Sequence, residues 1–211
     1  MLLLAGRPGG SGTSDAIGTL ARFNSPRGIA VYGDNLYVAD KSNHTIRKID
    51  IYTKSVTTIA GYPGRAGVND GIGSNARFYK PEGIATDGVY LYIADTGNHV
   101  IRKIEIESGT VVTLAGKRGQ AGYIDGTGTD ARFKAPIGIT ILDSALYVAD
   151  TDNHCIRRVD KNSGETITVA GTASTAGNTD GFGVSALFNF PFGITNDGEF
   201  LYIADTFNHT I

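Results

Sequence analysis

Four histidines, His44, His99, His154 and His209, recur every 55 residues behind an asparagine, and four aspartates, Asp40, Asp95, Asp150 and Asp205, keep the same step. Imidazole and carboxylate are the groups that ligate metals and move protons, so the first question is whether they converge. One His and one Asp per repeat, at a fixed phase, fall on a wide ring rather than in a ligand-sized cluster. The pattern therefore reads as structural: each Asp accepts N–H bonds from the turn that follows it, and each His bonds within that turn. Asp70-Gly71-Ile72-Gly73 and its counterparts suggest a calcium loop or a phosphate cradle. A calcium loop needs more oxygen ligands at alternate positions, and a phosphate loop needs a Lys and Ser or Thr opening a helix. Neither is present, which leaves a tight turn made possible by glycine. The single Cys155 stands where other repeats have Thr45, Val100 and Thr210, so it is a small filler, and no disulfide framework exists. The pattern implies no metal and no cofactor.

The elements that must position these groups follow from the period. Ala-Gly at residue 5, Leu-Tyr-Val/Ile-Ala-Asp ending at Asp40, and Pro26 followed by one variable residue and Gly-Ile all return at 55-residue steps without insertion. Seventeen positions are identical in all four copies, so chance is excluded and the shared residues belong to a scaffold. A unit of this size buries its apolar face only against a neighbouring copy. Each repeat holds four β-like runs, exemplified by Gly28 to Tyr32, Leu36 to Ala39, Ile46 to Ile51 and Val56 to Ala60, separated by turn signals. The sequence thus predicts an all-β chain, a β-propeller of four 55-residue, four-stranded blades with the last incomplete, alone or as part of a larger propeller. One domain spans 1–211, with repeats phased 1–55, 56–110, 111–165 and 166–211. Phe23, Phe78, Phe133 and Phe188 read as plugs between blades.

The run of Ala-Gly, Asp-Gly-x-Gly, Ala-Arg-Phe, Pro-x-Gly-Ile, Leu-Tyr-Val-Ala-Asp, Asn-His and Ile-Arg-Lys resembles the NHL-repeat family over the whole chain. The residue after Asn-His departs from the family's leucine, being Thr45, Val100, Cys155 or Thr210. The resemblance implies a propeller, usually of six blades, that serves as a protein- or RNA-binding platform. It also implies a minority class of lyase or lactonase propellers, and it tilts the location toward extracytoplasmic.

The residues themselves argue against catalysis. The innermost strand, Gly28-Ile29-Ala30-Val31 and its equivalents, carries no His, Cys, Asp or Glu to converge on a central channel. No nucleophile elbow is present either. RNA fares poorly as a partner. The loops between strand four and the next strand one total +4, the turns between strands two and three total −4, and both are expected on one face. The net charge is −2, although Lys117, Arg118, Arg132 and Lys134 form a local basic cluster. Arg47-Lys48, Arg102-Lys103 and Arg157-Arg158 read as solvated or salt-bridged edges. No apolar run approaches a membrane span, and Met1 to Gly6 is too short for a secretory signal.

What varies between copies is where recognition would sit. Arg27, Glu82, Ile137 and Phe192 follow the four prolines, and Arg7, Tyr62, Lys117 and Arg118 stand early in the long loops. These residues are the candidate site of a non-catalytic scaffold for a protein, peptide or glycan partner, with an RNA-binding or enzymatic propeller as alternatives. The chain opens in the phase of a fourth strand and stops at Ile211, nine residues short of four periods. That phasing implies an excised piece of a longer array, or self-association through the incomplete last blade.

Overall fold

A computed structural model describes residues 3–211 of the chain, which divide by contact into two compact units, Met1–Ile93 with Lys103–Val112, and Ala94–Arg102 with Thr113–Ile211. The first repeat forms β1 (Ala16–Ile17), β2 (Pro26–Tyr32), β3 (Asn35–Asp40), β4 (Thr45–Asp50) and β5 (Ser55–Ala60). The second forms β6 (Gly71–Ile72), β7 (Pro81–Thr86), β8 (Tyr90–Asp95), β9 (Val100–Glu105) and β10 (Thr110–Ala115). The third forms β11 (Gly126–Thr127), β12 (Pro136–Leu142), β13 (Ala145–Asp150), β14 (Cys155–Asp160) and β15 (Glu165–Ala170). The fourth contributes β16 (Pro191–Asn196) and β17 (Leu201–Asp205). These are antiparallel blades of a β-propeller, with orders β1-β5-β4-β3-β2, β6-β10-β9-β8-β7, β11-β15-β14-β13-β12 and β16-β17.

Each complete blade therefore has a fifth, two-residue strand beyond the four expected. In the first blade Ala16 pairs with Val56 and Ile17 with Ser55, and Gly18 N–H donates to Lys54 O at 2.9 Å. The long loop leaves the end of the sheet that bears the strand-two-to-three turn, where Gly64 N–H donates to Asn43 O, and travels along the next blade's outermost strand to the opposite end. Only its ends belong to the face on which the whole loop was expected. The reason is backbone satisfaction: the outermost strand would otherwise show an unpaired ladder edge.

Period-two side-chain direction gives each blade strand two jobs. On β3, Val38 packs with Ala21, Ile49 and Val56 of its own repeat. Tyr37 and Ala39 face the other way and join Ile46, Ala60, Ala76, Phe78, Ile84, Leu91 and Ile93 in a core shared by the first two repeats. Strands buried on both faces read as continuous apolar runs, which is why Leu-Tyr-Val-Ala barely alternates. Phe78 and Phe133 are fully buried, as expected of plugs between blades. Glycine is required where inner strands meet: a Cβ on Gly28 would lie 2.5 Å from Glu82 O, and one on Gly138 would collide with Phe192 O.

Candidate binding face

The shared residues form a buried polar network. In the first repeat Asp40 Oδ1 accepts Asn24 N–H at 2.7 Å, while Oδ2 accepts Asn43 Nδ2 and Arg47 Nη1 at 2.8 Å each. Arg47 Nη2 donates to Asp15 Oδ1 at 2.6 Å, and Asp15 Oδ2 accepts Thr58 N–H at 2.9 Å. The Phe23 ring lies 4.9 Å from the guanidinium. The third repeat repeats this with Arg157, Asp150, Asn153 and Asp125, and Arg102 pairs with Asp95 at 2.9 Å. Burial pushes the Asp150 carboxyl up to about 6 against the pull of Arg157, so it stays ionised at neutral pH. These Asp carboxylates accept from an Asn side chain of the following turn and from a backbone N–H ahead of β2, rather than from backbone N–H groups of that turn.

This network bears out the salt-bridged reading of the arginines in the basic pairs but places them in the interior rather than at a solvated edge. Arg47, Arg102 and Arg157 are among the most deeply buried side chains, whereas Lys48, Lys103 and Arg158 are only half-buried. Adjacent strand residues point to opposite faces, so an Arg-Lys pair cannot be solvated as a unit. The Asp of the Asp-Gly-x-Gly segment was likewise more than a turn residue: Asp15 and Asp125 anchor the arginines from 32 residues away. The signal available in the sequence was their common presence in every copy, together with a basic residue that shares its strand face with apolar Ile49, Ile104 or Val159.

Three of the histidine side chains reach across to the following repeat. Each of His44, His99, His154 and His209 caps a short 3-10 turn with left-handed backbone, φ between 56° and 60°. His44 Nδ1 accepts Lys80 N–H, His99 Nδ1 accepts Ala135 N–H and His154 Nδ1 accepts Phe190 N–H, all at 3.1 Å. Burial is the main reason that these three imidazoles titrate below the usual histidine value. Beside them, Thr96 and Thr151 hydroxyls donate at 2.7 Å to Pro136 and Pro191 carbonyls. Cys155 is buried, and burial raises its thiol far above reactive range, consistent with a filler.

The variable residues remain at the surface. In the first unit Glu82 is mostly covered and sits between Lys41 Nζ at 2.9 Å and Arg27 Nε at 3.9 Å. The Tyr62 ring is flanked by the Arg65 and Arg77 guanidinium groups at 4.7 and 5.0 Å, and Arg7 is exposed. In the second unit Lys117 and Arg118 are exposed and Ile137 is half-buried. Arg132 of the expected basic cluster directs Nη1 at the carbonyls of Thr129, Asp130 and Ala131. Phe192 stands 6.4 Å from Phe207, which packs edge-to-face on Phe190 at 4.9 Å, and Phe190 packs on His154 at 4.5 Å. Phe207 is more than half exposed and was not among the sequence candidates.

Comparison with known proteins agrees with this geometry. A model described as NHL repeat matches residues 23–49, and one described as LVIVD repeat matches residues 80–101. NHL repeat-containing protein 2 of Homo sapiens is 30% identical over 233 residues, covering 95% of this chain and 32% of that protein. Protein SUPPRESSOR OF QUENCHING 1, chloroplastic, of Arabidopsis thaliana is 37% identical over 155 residues, covering 68% of this chain and 14% of that protein. Among solved structures, an auxiliary nutrient binding protein from Bacteroides ovatus superposes with a TM-score of 0.71 at 24% identity, over 91% of this chain and 48% of that one. The chain thus spans about a third of the human relative's length. With the repeat, the blades and these likenesses together, the chain belongs to the NHL-repeat family of β-propellers.

Proposed function

We propose that the chain is a non-catalytic binding scaffold whose strand-two-to-three turns, with the adjoining ends of the long loops, receive a protein, peptide or glycan partner. The observation that carries this reading is a division of labour. The repeated Asp, Arg and Asn side chains are committed to one another and three of the His side chains to backbone N–H groups of the following repeat, while most of the aromatic and charged side chains that differ between repeats stay at the surface. The aromatic group Phe192, Phe207 and Phe190 is the strongest feature of that surface, because exposed rings on a rigid frame give large contact area at low entropic cost. The Bacteroides ovatus protein of like fold is named for nutrient binding, which fits the coarse reading.

The test begins with a glycan array and a peptide display library screened against the purified chain. The best binder is then titrated against the wild type and against a Phe192→Ala, Phe207→Ala variant. Loss of an aromatic anchor of at least about 2 kcal/mol should weaken binding about thirtyfold. The melting temperature should barely move, since Phe207 is exposed. Unchanged affinity would place the ligand elsewhere.

A further inference from the structure

We propose that the exposed edge of the junction between the first two repeats binds a short acidic peptide, whose carboxylates are received by Lys41, Arg65 and Lys80. The site rests on the same reading of the strand-two-to-three turns and adjoining loop ends as a recognition surface, at residues apart from Phe190, Phe192 and Phe207. Both repeats that form it lie within one compact unit.

Three contacts bring its residues together. Gly64 N–H donates to Asn43 O at 3.0 Å, which lays the Tyr62 to Arg65 loop on the turn that holds Lys41. Lys80 N–H donates to His44 Nδ1, and Lys41 Nζ reaches Glu82 at 2.9 Å. On this frame cations are set against rings. The Arg65 and Arg77 guanidinium groups flank Tyr62, and Lys80 Nζ lies 5.4 Å from the centre of Tyr79, whose ring meets His44 edge-on at 5.7 Å. Tyr62, Arg65, Tyr79 and Lys80 are exposed. Among the described residues neither Arg65 nor Lys80 has a carboxylate partner.

Charge complementarity names the occupant. Lys41, Arg65, Arg77 and Lys80 face one carboxylate, Glu82. Asp40 is buried against Arg47, and Asp70 holds the position from which Asp15 and Asp125 reach an outer strand. The combination is peculiar to this junction: Tyr62, Arg65, Tyr79 and Lys80 become Lys117, Gln120, Lys134 and Ala135 one repeat on, and Thr172, Thr175, Asn189 and Phe190 two repeats on. A cation held against a ring is partly desolvated and its stem is already ordered, which lowers what a carboxylate must overcome to pair with it. Glu82 opposes a strand with a charge on every unit, whereas a peptide can set a neutral residue against it.

The experiment measures fluorescence anisotropy of a rhodamine-labelled peptide of alternating Glu and Gly at low salt, with the Gln and Gly peptide as its neutral isostere. The acidic peptide should bind about tenfold more tightly. Each substitution takes a residue that another repeat already holds at that position, so the fold is kept: Arg65→Gln matches Gln120, Lys80→Ser matches Ser25 and Glu82→Ile matches Ile137. Arg65→Gln with Lys80→Ser should weaken the acidic peptide about tenfold, with circular dichroism unchanged. Glu82→Ile removes the opposing carboxylate and should tighten it about threefold. Lys54→Asn removes a charge beyond the other end of β4 and should leave binding as it was. Equal binding of the two peptides, a double variant that binds like the wild type, or weaker binding by Glu82→Ile overturns the proposal. Weakening by Lys54→Asn that equals the double variant's, or a single-stranded RNA that binds more tightly than the peptide, overturns it as well. The Phe192→Ala, Phe207→Ala variant is titrated with its own ligand, so either reading can fail without the other.

Discussion

Taking a guanidinium and a carboxylate out of water is repaid only by close geometry and by hydrogen bonds to their remaining donors and lone pairs. Arg157 meets most of that condition: Nη1 reaches Asp150 Oδ2 at 2.8 Å and Arg132 O at 3.0 Å, and Nη2 reaches Asp125 Oδ1 at 2.7 Å and Ile124 O at 3.0 Å, with only the buried Nε lacking an acceptor. Asn153 and Lys134 N–H complete Asp150. Removing the arginine would leave Asp150 buried among donors arranged for an anion. Arg157→Met is therefore expected to cost about 3–5 kcal/mol in urea unfolding, and Arg158→Met on the opposite face under about 0.5 kcal/mol. Similar losses for both would mean that the side of the strand does not matter. The sequence shows both arginines plainly; only the strand's orientation separates the core residue from the surface one.

Elements are joined by single polar contacts placed where backbones bend. A histidine in the left-handed region is uncommon, and here the conformation turns its ring toward the next repeat's N–H. That contact needs Nδ1 unprotonated, and burial, the largest cause, lowers the titration of His44, His99 and His154 below the ordinary 6.5. At these three sites the unfolded chain then binds more protons than the folded one as pH falls below 6.5, so acid removes their contribution to stability, while Asp150, raised to about 6, takes up a proton in the fold and acts in the opposite sense. The histidine contribution to the melting temperature should be lost between about pH 7 and 5.5. The triple variant His44→Asn, His99→Asn, His154→Asn should show a flatter profile, since Asn keeps the left-handed turn without the titration. An equally steep profile in that variant would sink the argument. The two-residue outer strands belong to this scale too. Gly71-Ile72 gave no strand signal, because two residues are too few for periodicity; their pairing with Val111 and Thr110 comes from the neighbouring blade's need for an edge partner.

For the molecule as a whole, charge limits the partners. A net charge of −2, with Arg47, Arg102 and Arg157 paired to internal carboxylates, leaves little concentrated positive field for phosphates. Fluorescence anisotropy with a single-stranded RNA near physiological salt should give a dissociation constant no tighter than about 10⁻⁶ M. A tighter value with a steep salt slope would favour the RNA-binding alternative. None of the described helices is long and apolar enough to cross a membrane.

The repeat and its near-continuous apolar strands determined the propeller and the burial of Phe78 and Phe133 between blades. A 55-residue period admits few ways to bury its own apolar positions, and those residues follow from it. Three matters were decided only by tertiary structure: the burial of Arg47, the reach of His44 to Lys80, and the exposure of Phe207 beside Phe192. Each depends on which repeat, or which face of a strand, lies across from the residue. Spacing along the chain places equivalent residues in equivalent surroundings but does not say what those surroundings are. That is also why identical positions such as Ile29 and Ile84 differ so much in burial: the residue is the same, and the neighbour is not.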